Sequence, residues 1–305
     1  MIHTFSGNPI DRADAIRRNE DDIDSLLNKS NSVFLLFKDL KVLIATSNQT
    51  TELKWLPSIQ ISNIKMEANR VFLGLINEIA YFAVDILKSE TIAPILDSPE
   101  ICFTDCRIAA MSLPQEQTGM LAQARSQLEW HRKHQFCGIC GQKTKSERGG
   151  YLRRCTSCDA ASFPRTDPVV IMLVTKGEYC LLGKPVGPFS KTNLYTALAG
   201  FVDQGESIEE AVKREVMEES GVIVENVEYH SSQPWPFPYS LMIGCYAMAK
   251  TEGITIDHEE LADAAWFSKT EVADALHGNK TILEIPGPIA IAHHLMKAWA
   301  LQETR

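Results

Sequence analysis

The sequence predicts an α+β / α/β protein in three parts: an N-terminal α+β domain over residues 1–130, a cysteine-bearing ribbon over 131–165, and a domain of alternating strands and helices over 166–305. Three observations predict it. Short apolar runs of strand type crowd the first 115 residues, two cysteine pairs follow, and from Pro168 onward strand and helix patterns alternate. A chain of 305 residues is also longer than a single core needs.

In chain order, the strand-type runs are Ser32–Phe37, Lys41–Ala45, Val71–Leu75, Ile79–Val84 and Ile101–Phe103. The most apolar long stretch, Val71–Leu87, is broken by Asn77, Glu78 and Asp85, so it reads as strand, turn and strand rather than a membrane span. A helix is predicted from Pro114 to His131, where Leu121, Ala124 and Leu128 recur at three-to-four spacing. The last part opens on the strand Val169-Val-Ile-Met-Leu-Val.

A net charge of −9 argues against broad binding to nucleic acid or to anionic membranes, since either needs a basic surface. Charges at Arg12, Arg17, Glu20 and Asp21 interrupt the N-terminal segment and leave no apolar core of signal-peptide type. The terminal Glu303-Thr304-Arg305 is not a peroxisomal address. The expectation is a cytoplasmic protein with no membrane partner.

Cys137-Gly-Ile-Cys140 and Cys155-Thr-Ser-Cys158 form two C-x2-C knuckles, with the turn former Gly149-Gly150 between them. Four thiolates make the tetrahedral cage that Zn2+ prefers, and with no position left for water the metal is structural. Arg132, Lys133, Lys143, Lys145, Arg148, Arg153 and Arg154 surround the knuckles. They leave open a nucleic-acid-binding module, although a solvated charged face is the plainer reading. Cys102, Cys106, Cys180 and Cys245 lie in apolar surroundings and read as small core residues. The histidines, among them His131, His134, His258, His293 and His294, show no ligand spacing with the glutamates and are assigned structural or exposed places.

The stretch Gly200 to Val222 carries the chemistry. Ser207 and Glu210 make a capping box and Gly221 a C′ residue, so a helix is predicted over Ile208–Ser220. At 100° per residue, Glu215, Glu218 and Glu219 continue the apolar stripe of Ile208, Ala211, Val212 and Val216. Glu209, Lys213, Arg214 and Ser220 point to the polar side. Like charges gathered on a buried stripe are costly unless one is protonated or hard cations sit among them, and oxygen-rich clusters suit Mg2+ or Mn2+. Arg214 is placed to pair with a carboxylate.

Gly200, Glu206, Arg214, Glu215, Val216, Glu218, Glu219, Gly221 and Val222 fill the fixed positions of the Nudix box. The chain resembles the Nudix hydrolases, which implies an α/β/α sandwich around a mixed sheet. The resemblance implies a metal site built from the Ala199 carbonyl, Glu215 and Glu219, with Glu218 beside them and the remote Glu260 completing it. Glu215, Glu218 and Glu219 stand as catalytic candidates, with the general base open among them. Three further features resemble the NADH pyrophosphatase subfamily: the four-cysteine ribbon ahead of the box, Phe163-Pro-Arg-Thr-Asp-Pro168, and Gln233-Pro234-Trp235-Pro236-Phe237-Pro238-Tyr239-Ser240 behind it. The family usually has tyrosine where Phe163 stands.

Three prolines stiffen that last segment and hold Trp235 and Phe237 ready to stack on a base or a nicotinamide. By the same resemblance Phe201 and Ala292 line the pocket. The implied activity is divalent-metal-dependent hydrolysis of NADH or NAD+ to AMP and nicotinamide mononucleotide, with NAD-capped RNA as a related substrate and a homodimer as the expected assembly. The alternatives are a Nudix enzyme preferring ADP-ribose or dinucleoside polyphosphates, and a zinc-ribbon nucleic-acid-binding protein with an inactive hydrolase domain.

Overall fold

The computed structural model describes residues 2–47, 50–61, 70–86, 96, 98–187, 190–279 and 281–301. Leu87 and the terminal Glu303-Thr304-Arg305, used in two of the readings above, lie outside the described residues. The chain divides into two compact units. One comprises Thr4–Thr166 with Pro234–Tyr239, the other Met1–His3, Asp167–Gln233 and Ser240–Arg305.

In the first unit, α1 (Asp14–Arg17) and α2 (Glu20–Leu27) precede β1 (Val33–Lys38), β2 (Lys41–Ser47), β3 (Thr50–Leu53), β4 (Trp55–Pro57), β5 (Arg70–Ile76), β6 (Ile79–Asp85) and β7 (Ile101–Thr104). These strands form one sheet in the order β3-β2-β1-β6-β5, with β4 on β1 and β7 on β2. The parallel β1–β6 pair brings Phe34 opposite Phe82, and their rings stack 5.2 Å apart in a core with Leu36, Leu43, Phe72 and Val84. The five strand runs read from the sequence are all present. Strands β3 and β4 and helix α2 were not foreseen: Thr50-Thr-Glu-Leu53 buries only Thr51 and Leu53, and α2 buries only Ile23 and Leu26.

Helix α3 (Cys106–Ala110) is capped by the Asp105 side chain, and α4 (Gln115–Lys133) starts behind Pro114. Cys102, expected in the core, is exposed, because the sheet edge places its strand position outward; Cys106, Cys180 and Cys245 are buried. The ribbon follows as β8 (Thr144–Glu147), β9 (Leu152–Cys155) and β10 (Ala161–Ser162), in sheet order β10-β9-β8.

His131, fully buried on α4, ties that helix to the ribbon. Arginine can only donate, so Arg153 Nη1 donates to His131 Nδ1 at 2.8 Å and His131 Nε2 donates to the Gly150 carbonyl at 2.9 Å. Burial, reinforced by the Arg153 charge, pulls this imidazole down to about 4. A pKa depressed below the unfolded value of 6.5 gives stability that is whole above pH 6.5 and lost as pH falls toward 4. Between pH 7 and 4.5 the wild type should therefore lose about 2–3 kcal/mol from this group. His131→Gln, which keeps one donor and one acceptor, should flatten that part of the urea-midpoint profile.

In the second unit, β11 (Asp167–Lys176), β12 (Tyr179–Pro185), β13 (Leu198–Phe201), β14 (Val224–Trp235), β15 (Ser240–Ala249) and β16 (Leu261–Ser268) form a mixed sheet in the order β14-β15-β11-β12-β16, with β13 on β11. The β11–β15 pair is parallel, and β11–β12, β11–β13 and β12–β16 are antiparallel. Helix α5 (Ile208–Ser220) packs Ala211, Val212 and Val216 on one face, against Val170, Met172 and Leu181. Helices α6 (Lys269–Leu276) and α7 (Ile291–Leu301) cover the other through Val272, Ile291, Ala292 and Leu295, against Ile171, Leu173 and Leu182. This is the α/β/α sandwich expected from the box. Among the described residues, no helix is long and apolar enough to cross a membrane.

Candidate active site

Strand β13 separates two faces by its pleat. Leu198 belongs to the core under α5, and Gly200, two residues on, turns the same way; Ala197 belongs to the core under α7, so Ala199 and Phe201 turn toward that side. Gly200 has no side chain because the Glu215 carboxylate occupies its place: a Cβ there would stand 2.0 Å from Glu215 Cδ. Gly200→Ala should push that carboxylate aside and lower turnover by on the order of 100-fold, since a displacement of about 1 Å is enough for that. A Michaelis analysis would show the loss mainly in kcat.

The capping box of Ser207 and Glu210 starts α5, and Gly221 at φ 69° ends it, so the carboxylate helix has the predicted bounds. Glu215 and Glu219 are 8% and 4% exposed, and one oxygen of each lies with one of Glu260 within a 4.8 Å group. Glu218 departs from the expected stripe. Its side chain is 58% exposed and is held at 3.0 Å by Arg214 Nη1, because the helix turns its edge to solvent at that position. Ser220, expected on the polar side, is fully buried, and its hydroxyl donates to the Val216 carbonyl at 2.6 Å.

Arg214 organises the rest. Its Nε and Nη2 grip the two Glu206 oxygens at 2.6 and 2.7 Å, Nη2 also donates to the Phe201 carbonyl at 2.9 Å, and Nη1 reaches Glu215 at 2.8 Å. Hydrogen bonds from this guanidinium, above all, hold Glu206 down at about 2. The pair is therefore ionised throughout the neutral range, and one planar cation ties the loop before α5 to the helix.

Glu219 has the opposite environment. Burial first, then the charges of Glu215 and Glu260, push it up to about 8, against a backbone hydrogen bond from Ala199. Burial also raises Glu215, with Arg214 opposing. Glu219 Oε1 is buried with no hydrogen-bond partner among the described residues. An orphaned carboxylate oxygen inside a three-carboxylate group fits divalent cations, which would complete its coordination and offset the crowded charge.

The ribbon passes a similar test for zinc. The four cysteine sulfurs lie within 4.8 Å of one another, with Cys137–Cys158 at 3.7 Å and Cys140–Cys155 at 3.4 Å. A tetrahedron with bonds of about 2.3 Å has edges of about 3.8 Å. The amides of Cys158 and Ser157 draw the Cys155 thiol down to about 6, the thiolate form a metal requires. The basic neighbours, in contrast, are largely occupied. Arg132 pairs with Asp85 and lies 3.9 Å from Asp39; Lys133 pairs with Glu129, Lys145 with Glu147, and Arg154 with Glu147 and Asp159. Arg153 is buried against His131. Of the seven basic residues that opened the nucleic-acid-module alternative, Arg132, Lys133, Lys145 and Arg154 thus pair with carboxylates and Arg153 is buried.

Comparison with known proteins agrees with this geometry. A "NUDIX domain" description matches residues 164–284, an "NADH pyrophosphatase zinc ribbon domain" 132–163, and an "NADH pyrophosphatase-like rudimentary NUDIX domain" 31–130. A mitochondrial NAD(P)H pyrophosphatase NUDT13 of Mus musculus is 38% identical over 307 residues, covering 91% of this chain and 86% of the relative. The chain belongs to the Nudix hydrolases, in their NADH pyrophosphatase branch.

NAD-capped RNA hydrolase NUDT12 of Macaca fascicularis is 47% identical over 206 residues, 63% of this chain and 43% of the relative. NAD-capped RNA hydrolase NudC of Pseudomonas syringae pv. syringae (strain B728a) is 38% identical over 185 residues, 61% and 62% of the two chains. The chain thus spans less than half the length of the first of these relatives. Nudix hydrolases work with divalent metal ions, in keeping with the glutamate group.

The remaining predicted residues of this Nudix hydrolase fall in two places. In the unit of the glutamates, Phe201 is 56% exposed, while Gln233 and Ala292 are buried. Both ends of the Gln233 amide are engaged with the start of α7: Nε2 donates to the Ile289 carbonyl at 2.8 Å and Oε1 accepts from the Ile291 amide at 2.8 Å. Gln233 thereby holds the helix that carries Ala292. Pro234, Trp235, Pro236, Phe237, Pro238 and Tyr239 belong to the other unit, while Ser240 begins β15. The Arg214 contact to the Phe201 carbonyl and the Ala199 amide on Glu219 were not read from the sequence, because neither has a spacing signature.

Proposed function

We propose that the protein hydrolyses the diphosphate of NADH and NAD+, releasing AMP and nicotinamide mononucleotide, and that it also removes NAD caps from RNA 5′ ends. The group Glu215, Glu219 and Glu260, with the buried Glu219 oxygen left unpartnered, carries this reading. These three carboxylates and the Ala199 carbonyl would hold Mg2+ or Mn2+, with Glu218 at the exposed rim. Such cations supply positive charge against the diphosphate and the charge that builds on it during hydrolysis. The chain's own part is positional. Arg214 fixes Glu215 and the Phe201 backbone together, Gly200 lets the Glu215 carboxylate lie against the strand, and burial keeps Glu219 in a water-poor setting. Hydrolysis adds water across one P–O bond of the diphosphate bridge, so each product leaves as a monophosphate.

Phe201, Ala292 and the segment Gln233–Ser240 form the proposed substrate-recognition set, with Gln233 acting through α7. Zn2+ on Cys137, Cys140, Cys155 and Cys158 is structural in this reading. Eight unbridged cysteines support a reducing, cytoplasmic setting, and a homodimer is the proposed assembly. Purified protein with Mg2+ or Mn2+ and equal NADH, NAD+ and ADP-ribose tests the activity by AMP release. Faster cleavage of the two dinucleotides supports it and makes NAD-capped RNA the next substrate. Faster cleavage of ADP-ribose overturns the role given to Trp235 and Phe237, and no cleavage of any of the three overturns the proposed activity.

A further inference from the structure

The unit Thr4–Thr166 has no residue in the glutamate group, yet it includes the segment Pro234–Tyr239. Within that unit the segment is seated by cations and aromatic edges. The Arg107 guanidinium lies 3.8 Å from the centre of the Phe237 ring, and that of Arg125 lies 4.5 Å from it. Arg125 Nη1 also donates to the Pro236 carbonyl and pairs with Glu129 at 2.7 Å. Phe5, 1% exposed, meets the Trp235 and Phe237 rings edge-on at 5.8 and 5.7 Å, and its own amide donates to Thr118 Oγ1 at 2.8 Å. Lys133 stands 5.5 Å from the Tyr239 ring centre.

Together the contacts hold one carbonyl, set cations against the Phe237 and Tyr239 rings and meet the Trp235 and Phe237 rings edge-on. Proline stiffness limits the segment's internal freedom but does not aim it, whereas a guanidinium stacked on a ring and bonded to the neighbouring carbonyl does. The same contacts separate the roles of the two aromatics. Phe237 has guanidinium groups against its ring, while Trp235 meets Phe5 and Phe237 edge-on.

We infer that Arg107 and Arg125, backed by Phe5, are positioning residues that fix the 234–239 segment through Phe237 and the Pro236 carbonyl, and that the segment's preference for the dinucleotide depends on them. This rests on the reading of that segment as the substrate-recognition motif. Phe237 is its anchor and Trp235 its ligand-stacking ring.

The test uses the full chain carrying Arg107→Ala, an exposed site whose loss leaves the core intact, and separately Arg125→Lys, which keeps charge but loses the planar fork. Hydrogen exchange at the Trp235, Phe237 and Tyr239 amides should quicken by about tenfold or more, as expected when a local anchor is removed. The KM for NADH should rise about fivefold or more with kcat for ADP-ribose changed less than about twofold, the pattern of lost substrate binding rather than lost chemistry. Unchanged exchange and an unchanged NADH to ADP-ribose KM ratio would overturn the inference while leaving the proposed activity intact. Equal losses on both substrates would also overturn it, by showing a general structural role. A wild-type enzyme with no preference for NADH over ADP-ribose would overturn the motif reading and this inference with it.

Discussion

Glu219→Gln should lower kcat on NADH by about three orders of magnitude at saturating Mn2+, equivalent to about 4 kcal/mol of transition-state stabilisation. The substitution removes one charge from the group that would hold the cation while keeping the size of the side chain. The same change should make the metal-free protein more stable. Glu219 is raised to about 8 from 4.5 by burial and by Glu215 and Glu260. A carboxyl raised on folding contributes stability that is present below pH 4.5 and lost as pH rises through 8. Glutamine escapes that loss. In EDTA, its melting temperature should therefore exceed the wild-type value at pH 8 and converge with it by pH 4.5, for a gain on the order of a few kcal/mol at the alkaline end. A variant that lost activity by misfolding would melt lower instead. Calorimetry with and without metal separates the two outcomes, and equal melting temperatures at both pH values would remove the argument that this carboxylate waits for a cation.

Cys155→Ser is the second large effect. Cys155 is buried, and its sulfur receives the amides of Ser157 and Cys158 at 3.4 Å, which draw it toward the thiolate form. Binding free energy at a four-thiolate zinc site is largely folding free energy, apparent values being about 10–16 kcal/mol in small zinc modules. The ribbon has little else: β10 is two residues long, and of the three ribbon strands only β9 buries more than one side chain. Zinc content should fall from about one per chain to near zero, and the ribbon's hydrogen-exchange protection should collapse. Loss of about 4 kcal/mol would lower the melting temperature by roughly 10 °C in a domain of this size. Retained zinc at one equivalent in the variant would count against the four-cysteine cage.

The two sites were legible in the sequence to different depths. The four-cysteine group was readable almost completely, because a C-x2-C knuckle places both thiols by local geometry. Helix α5 was equally readable: Ser207, Glu210 and Gly221 mark its ends through contacts no more than a few residues long. Periodicity also placed Glu215 and Glu219 on the buried side. It misplaced Glu218 and Ser220, since an ideal 100° wheel says which residues share a direction but not where the sheet beneath them stops.

What only the tertiary structure decided are the relations that periodicity and motif spacing do not specify. Gly200 reads in the sequence as a box position, but its reason is the Glu215 carboxylate lying where a Cβ would be. The ribbon arginines and lysines read as a basic face until Asp85, Glu129, Glu147 and Asp159 are brought beside them. That both ends of the Gln233 amide are engaged at the start of α7, by the Ile289 carbonyl and the Ile291 amide, is not visible in the sequence. Pro234–Tyr239 follows Gln233 directly in the chain yet belongs to the unit of Phe5, Arg107 and Arg125. By itself the sequence determined the fold class, the four-cysteine group, the carboxylate helix and the family, because each rests on local periodicity, spacing or a short fixed pattern. Which carboxylates meet, which acid each base takes and which side chains hold Pro234–Tyr239 depend on how the chain folds back on itself, over 45 residues from Glu215 to Glu260 and over 111 from Arg125 to Pro236.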